Sequence, residues 1–171
     1  MFSICCPTFR KAERGCRTGQ SCKRFTVLKE EVSVTRCHWS EHLPSEAHRE
    51  FYDFYSKEWW TAARSFEDVV HMLDHCDLTI FCHDAEGSII GFARVLSDFT
   101  FKAMIFDVII AEKARGHGLG KTIIQRILSH EKLRRVKSFE LYCPERLAPF
   151  YEKLGFLKGS SELLFNQPRT A

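Results

Sequence analysis

The chain has 171 residues, 44% hydrophobic and 27% charged, with fifteen Phe, four Tyr and three Trp, which is apolar bulk for one domain with its own core and excludes a disordered composition. No apolar run reaches the roughly 18 residues of a membrane span, and residues 1–7 lack the regions of a secretory leader, so an intracellular, cytoplasmic protein is expected, its eight cysteines held as thiols. The net charge is +3, but residues 1–25, where Arg10, Lys11, Arg14, Arg17, Lys23 and Arg24 face only Glu13, outweigh a remainder that is slightly negative, so no folded basic surface for nucleic acid is expected.

Residues 1–25 are Cys-, Arg-, Ser- and Gly-rich without periodicity, which predicts a mobile N-terminal extension ahead of a single domain over residues 26–171. The tandem Cys5-Cys6 has no myristoylation Gly or amphipathic anchor beside it and reads as exposed thiols. A short strand is predicted within residues 25–39, centred on Val32-Ser33-Val34-Thr35. A helix follows over residues 45–60, where Phe51, Phe54, Tyr55, Glu58 and Trp59 keep helical spacing and the aromatic run reads as core. Ser65 caps a second helix, with Asp68 three residues on and Val69, Val70, Leu73 and Cys76 on one broad face.

Strands are predicted at residues 78–83, 88–96 and 99–110, with a turn at Asp84-Ala85-Glu86-Gly87 between the first two. Residues 119–130 form an amphipathic helix, with Leu119, Ile123, Ile124, Ile127 and Leu128 inside. A strand at 138–143, a short helix at 147–154 stopped by Gly155, and a last strand at 163–165 complete the chain. The expected fold class is α+β: a mixed, mostly antiparallel sheet flanked by helices, with a βαβα segment at its C-terminal end.

The segment Ile109-Ile110-Ala111-Glu112-Lys113-Ala114-Arg115-Gly116-His117-Gly118-Leu119-Gly120-Lys121 carries the chemistry. A buried strand runs into a glycine-rich turn that opens a helix, so free N–H groups and the positive end of the helix dipole converge where the backbone can approach an anion. A Walker A loop would need Gly at 115, which is Arg. A dinucleotide fingerprint would need Gly at 121 or 123, which are Lys and Ile. The pattern met is (R/Q)-x-x-G-x-(G/A), by Arg115, Gly118 and Gly120.

That pattern resembles the pyrophosphate loop of the GNAT superfamily of N-acetyltransferases, which bind acetyl-CoA. Downstream, Ala148-Pro149-Phe150-Tyr151-Glu152-Lys153-Leu154-Gly155-Phe156 resembles the superfamily's A-x-x-F-Y-x-x-x-G-F segment, matching it from Phe150 to Phe156 with one residue fewer after the Ala, and Gly91-Phe92-Ala93-Arg94-Val95 resembles its G-x-x-R-V strand. The resemblance covers residues 31–168 and is strongest over 91–156. It implies an acetyl-CoA-dependent transfer to a primary amine by direct attack, the acceptor being a small molecule or a protein amine. It implies that the backbone of Val108 and Ile110 holds the pantetheine arm, the Val108 N–H meeting the thioester oxygen. It implies that Arg115, Gly116, His117, Gly118, Leu119, Gly120 and Lys121 cradle the pyrophosphate, and that the Tyr151 hydroxyl faces the sulfur as general acid.

Two positions depart from the family pattern. The strand positions nine and eleven residues before Arg115, where a Glu or His often serves as base, are Phe106 and Met104, and no Asn follows the strand at Cys143-Pro144-Glu145. The first departure keeps open the alternative of a CoA-binding regulatory module without catalysis. Asp107, next to the empty base position, is expected to face the other side of the strand unless a bulge rotates it, and to be a buried structural carboxylate paired with Arg94. Direct transfer needs no nucleophile, so Cys143 reads as packing. His71 and His75 have helical i, i+4 spacing without a third ligand, so no metal is expected. The family walls its acceptor site with the region of Trp59 and Trp60, so one of them is expected to line the cleft. The oligomeric state stays open.

Overall fold

The computed structural model describes residues 37–159. The predicted extension at 1–25, the strand centre at 32–35 and the strand at 163–165 lie outside the described residues. Within them run β1 (His38–Ser40), α1 (His48–Tyr55), α2 (Phe66–Asp74), β2 (Leu78–His83), β3 (Ile89–Ser97), β4 (Lys102–Ile110), α3 (Leu119–Leu128), β5 (Ser138–Leu141) and α4 (Ala148–Glu152). The sheet order is β1-β2-β3-β4-β5. The first three pairings are antiparallel, and β4 pairs β5 in parallel across the α3 crossover. This is the mixed, mostly antiparallel sheet the sequence predicts.

The sheet separates two apolar layers. On one face Phe51, Phe54 and Tyr55 of α1 and Val69 of α2 pack with Phe81, Phe92 and Ile109. On the other, Ile123, Ile124 and Ile127 of α3 pack with Ile80, Ala93, Val95 and Ile105, joined by Tyr151 from α4. Phe51 is fully buried, its ring edge-on to Phe92 at 4.6 Å and Phe81 at 5.5 Å between centroids. Removing such a ring leaves a cavity and costs about 3–5 kcal/mol, so Phe51→Ala is expected to lower the melting temperature by about 10 °C. A thermal melt checks this, and a shift under about 3 °C contradicts the packing.

Local signals set most boundaries. Ser65 caps α2 by accepting the Asp68 N–H at 3.0 Å, and β2 keeps its predicted bounds. β4 begins three residues later than predicted because Asp98 accepts the N–H groups of Thr100, Phe101 and Lys102 through one carboxylate oxygen. That turn holds Phe99 at φ +58° and keeps residues 98–101 out of the ladder.

The predicted helix at 45–60 is corrected. Residues 45–47 form a 3-10 turn and α1 ends at Tyr55. Beyond it the Thr61 hydroxyl donates to the carbonyls of Tyr55 and Glu58, and the N–H groups of Thr61 and Ala62 bond to Glu58. These turns carry the chain off the helix axis. Trp59 and Trp60, expected in the core, are 74% and 39% exposed, stacked edge-to-face on each other.

Candidate functional site

The site is organised by an irregularity in β4. Phe92 pairs Ile109, whereas Arg94 pairs Phe106, so β4 carries one extra residue opposite β3. Such a bulge reverses the alternation of side chains beyond it. Ile105 faces α3 while Ile109 faces α1. At the bulge Asp107 takes φ +49°, a left-handed conformation that Asp and Asn tolerate better than other side chains.

Beyond the bulge, Ala111 N–H donates to Ile90 O at 2.9 Å. With the Phe92–Ile109 register, antiparallel alternation points the polar groups of Ile109 toward β3 and those of Val108 and Ile110 toward the opposite edge. That edge is open, because pairing with β5 ends at Ile105–Leu141. The two strands therefore part where the N–H and C=O groups of Val108 and the N–H of Ile110 lie without a strand partner.

The glycine-rich turn follows directly. Gly116 and Gly118 have φ +86° and +82°, and nothing lies within 4 Å of where a Cβ would stand on either. Gly118 is the N-cap of α3 and supplies no side-chain acceptor, so the first N–H groups of the helix face outward without an intrahelical partner. The backbone of residues 116–121 thus presents donors at the positive end of a ten-residue helix. The His117 and Lys121 side chains are exposed beside it. The Arg115 side chain folds back: its Nε donates to Ile110 O at 2.9 Å and a terminal nitrogen meets Glu58 at 2.6 Å. That guanidinium braces β4 against the segment after α1, a pairing over 57 positions that no local pattern signals.

Tyr151 comes to the same end of the sheet. Pro149 in the first turn starts α4. Gly155, at φ +91°, stops it, with Gly155 N–H bonded to Glu152 O and Phe156 N–H to Tyr151 O. The Phe150 ring lies 3.4 Å from where a Cβ on Gly120 would stand, so α4 abuts the start of α3. The Tyr151 ring is buried, edge-on to Phe150 and Phe156. Burial first, then the Cys143 thiol, push its pKa up to about 12, so it is a neutral phenol at physiological pH. No protein group among the described residues bonds its hydroxyl, and the oxygen is not sealed from solvent. Cys143 is half-buried against the α3-side core, its pKa also raised by burial.

On the α1 side of the sheet the bulge carries a charged cluster. Asp107, its side chain 6% exposed, accepts from Arg94 Nε at 2.7 Å, Tyr55 OH at 2.8 Å and Arg64 at 3.2 Å, all on Oδ2. Arg64 also donates to the Tyr55 hydroxyl. The Arg94 pairing was expected. Tyr55 and Arg64, 52 and 43 positions away, were missed, since nothing local marks them. Phe106, in the empty base position, lies under the Arg94 guanidinium at 4.5 Å. The exposed rings of His71 on α2 and His75 just beyond it lie 4.0 Å apart, and among the described residues no set of three or more potential ligands forms around a metal position.

The model of the acetyltransferase (GNAT) family matches residues 33–156. The chain belongs to that family. An uncharacterized N-acetyltransferase, ycf52, of Pyropia yezoensis is 37% identical over 75 residues, covering 44% of this chain and 43% of its own. A rice protein (Oryza sativa subsp. japonica) named serotonin N-acetyltransferase 2, chloroplastic, is 30% identical over 97 residues, covering 54% and 48%. The chain thus matches just under half the length of these relatives. A crystal structure from Deinococcus radiodurans R1, described as an acetyltransferase, superposes with TM-score 0.67 at 25% identity, covering 78% of this chain and 90% of that one. The family typically uses acetyl-CoA. Among the described residues no helix is long and apolar enough to cross a membrane.

Proposed function

We propose that the protein transfers an acetyl group from acetyl-CoA to a primary amine by direct attack. The observation that carries this reading is the convergence, at one end of the sheet, of an opened β4 edge, a glycine cradle with no Cβ in the way and a buried neutral phenol. The residues present suit the cofactor. The N–H groups of residues 116–121 hold its pyrophosphate, with His117 and Lys121 beside them, and the backbone of Val108 and Ile110 holds the pantetheine arm. Arg115 acts here chiefly by bracing the loop, since its side chain already meets Ile110 and Glu58.

In the reaction the C–N bond forms as the C–S bond breaks. The Val108 N–H stabilises charge developing on the carbonyl oxygen, and Tyr151 hydrogen-bonds the departing sulfur. A lysine-like amine, with a pKa of about 10.4, must first lose a proton. Phe106 and Met104 provide no base, so that proton leaves through water. The acceptor is a small-molecule or protein amine. The rice relative's name supports a small amine, and the exposed Trp59–Trp60 pair beside α1 suits an aromatic one.

Acetyl-CoA at 100 times its dissociation constant should stabilise the fold by about 2.7 kcal/mol, a rise of about 5–10 °C in melting temperature, while NAD should do far less. Stabilisation by NAD and not by acetyl-CoA overturns the cofactor assignment. A screen of amines for release of free CoA, with protein thiols blanked, tests transfer, and binding without release across small and peptide amines would favour the regulatory module.

A further inference from the structure

We propose that Asp107 is a positioning residue for acyl transfer: clamped by Arg94, Arg64 and Tyr55, it holds the β4 bulge in the conformation that aims the Val108 N–H at the open edge. This rests on the acetyl-CoA reading above. Asp107 immediately precedes Val108, so its φ and ψ set the plane of the peptide that carries that N–H. A non-glycine residue at φ +49° persists only where its surroundings over-determine it.

Here they do. Three donors converge on one carboxylate oxygen, from β3 (Arg94), from the C-terminal end of α1 (Tyr55) and from the segment between α1 and α2 (Arg64). Arg94 is itself fixed, its guanidinium stacked on Phe106 at 4.5 Å. The Tyr55 ring is fully buried against Phe51 and Phe92. Each anchor belongs to a different element, so the bulge cannot relax without unpacking one of them. The same contacts tie the acceptor-side segment to the strand that holds the thioester. With two guanidinium groups and a phenol already on its Oδ2, the carboxylate is engaged in holding the bulge.

The test uses the full chain with acetyl-CoA labelled with carbon-13 at the thioester carbonyl, whose resonance moves downfield when the oxygen accepts a hydrogen bond. Wild type should show a downfield signal for the bound carbonyl. Asp107→Asn tolerates a left-handed φ and keeps an oxygen for Arg94, so it should retain most of that displacement. Asp107→Leu should lose most of it and drop kcat at least 30-fold, with acetyl-CoA affinity within about threefold of wild type. Val69→Ala, in the same apolar layer but not among the groups that hydrogen-bond Asp107, controls for lost stability and should leave the signal in place. If Asp107→Leu does not fold, Tyr55→Phe, which removes one donor to the carboxylate, should move the signal part-way toward the free position.

An unmoved carbonyl in a folded Asp107→Leu protein, or in Tyr55→Phe where that is the variant read, overturns the positioning role. So does an equal loss in Val69→Ala. If Asp107→Asn keeps the signal but loses as much turnover as Asp107→Leu and the acid limb of the pH profile disappears, Asp107 is a base and the proposal fails. Absence of acetyl-CoA binding by wild type overturns the cofactor reading itself, whereas binding with an equal carbonyl position in all variants overturns only this inference.

Discussion

Tyr151→Phe is expected to lower kcat about 10²-fold while leaving acetyl-CoA affinity and the fold nearly unchanged. The substitution keeps the ring, which fills the space between Phe150, Phe156 and the α3 face of the sheet, and removes only the hydroxyl. The departing thiolate is the conjugate base of a thiol with a pKa of about 8.5. A phenol raised to about 12 by burial, and secondarily by Cys143, is fully protonated at that moment. Complete proton transfer from so weak an acid is uphill, so its main contribution is a hydrogen bond to developing charge. Such a bond is worth about 1.5–3 kcal/mol, or roughly 10–10²-fold in rate.

The pH dependence follows with a definite sign. The folded pKa lies above the usual value of about 10 for a tyrosine. The stability this burial contributes is therefore fully present below pH 10 and is lost as pH rises through about 12. Tyr151 should produce no alkaline limb in kcat below about pH 10. Equal turnover by Tyr151→Phe and wild type, with a verified acceptor and chemistry limiting the rate, removes the hydrogen bond to the departing sulfur.

Gly118→Val is expected to weaken acetyl-CoA binding at least about 30-fold, the loss of one charge-assisted hydrogen bond of about 2 kcal/mol. At φ +82° a β-branched residue is strained by about 1–2 kcal/mol. The turn will relieve that strain by rotating its peptides, which swings the N–H groups away from the anion. The melting temperature without cofactor should fall by only about 2–8 °C, since the position is exposed and touches no core side chain. Gly120→Ala is the contrasting variant. Gly120 lies inside α3 with an ordinary φ, its Cβ position in normal contact with Phe150 and Ile110. Alanine there should favour the helix by up to about 1 kcal/mol and leave binding within about threefold. Calorimetric titration reads both variants, and unchanged affinity in folded Gly118→Val removes the pyrophosphate-cradle claim.

The parts of the site legible in the sequence are those built from neighbours in the chain. Gly116, Gly118 and Gly120 announce a turn that needs left-handed φ and close approach, and two of the three have it. Ser65 with Asp68, and Gly155, mark helix ends through a single hydrogen bond or a single allowed conformation. The apolar spacing at Leu119, Ile123, Ile124 and Ile127 marks the buried face of α3, and all four are buried.

What local pattern misread turned on competition from distant groups. The aromatic spacing through Trp59 continues a helix by propensity, but Thr61 and Glu58 offer tighter turns and α1 stops at Tyr55. Arg115 reads as a charge aimed at phosphate, but Glu58 and the Ile110 carbonyl lie nearer to it.

The sequence by itself therefore determined the fold class, the order of the described elements, the glycine-rich turn and the placing of Tyr151 on a short helix stopped by glycine, because each depends on periodicity or on the conformational range of one residue. Only the tertiary structure decided the extra residue in β4, the edge toward which Val108 and Ile110 point, and the clamp of Tyr55, Arg64 and Arg94 on Asp107. A bulge is a mismatch of register between two strands, and an ion cluster is a meeting of elements up to 52 residues apart. Neither has a period along the chain, so both come into existence only when the sheet and the helices on its α1 face pack together.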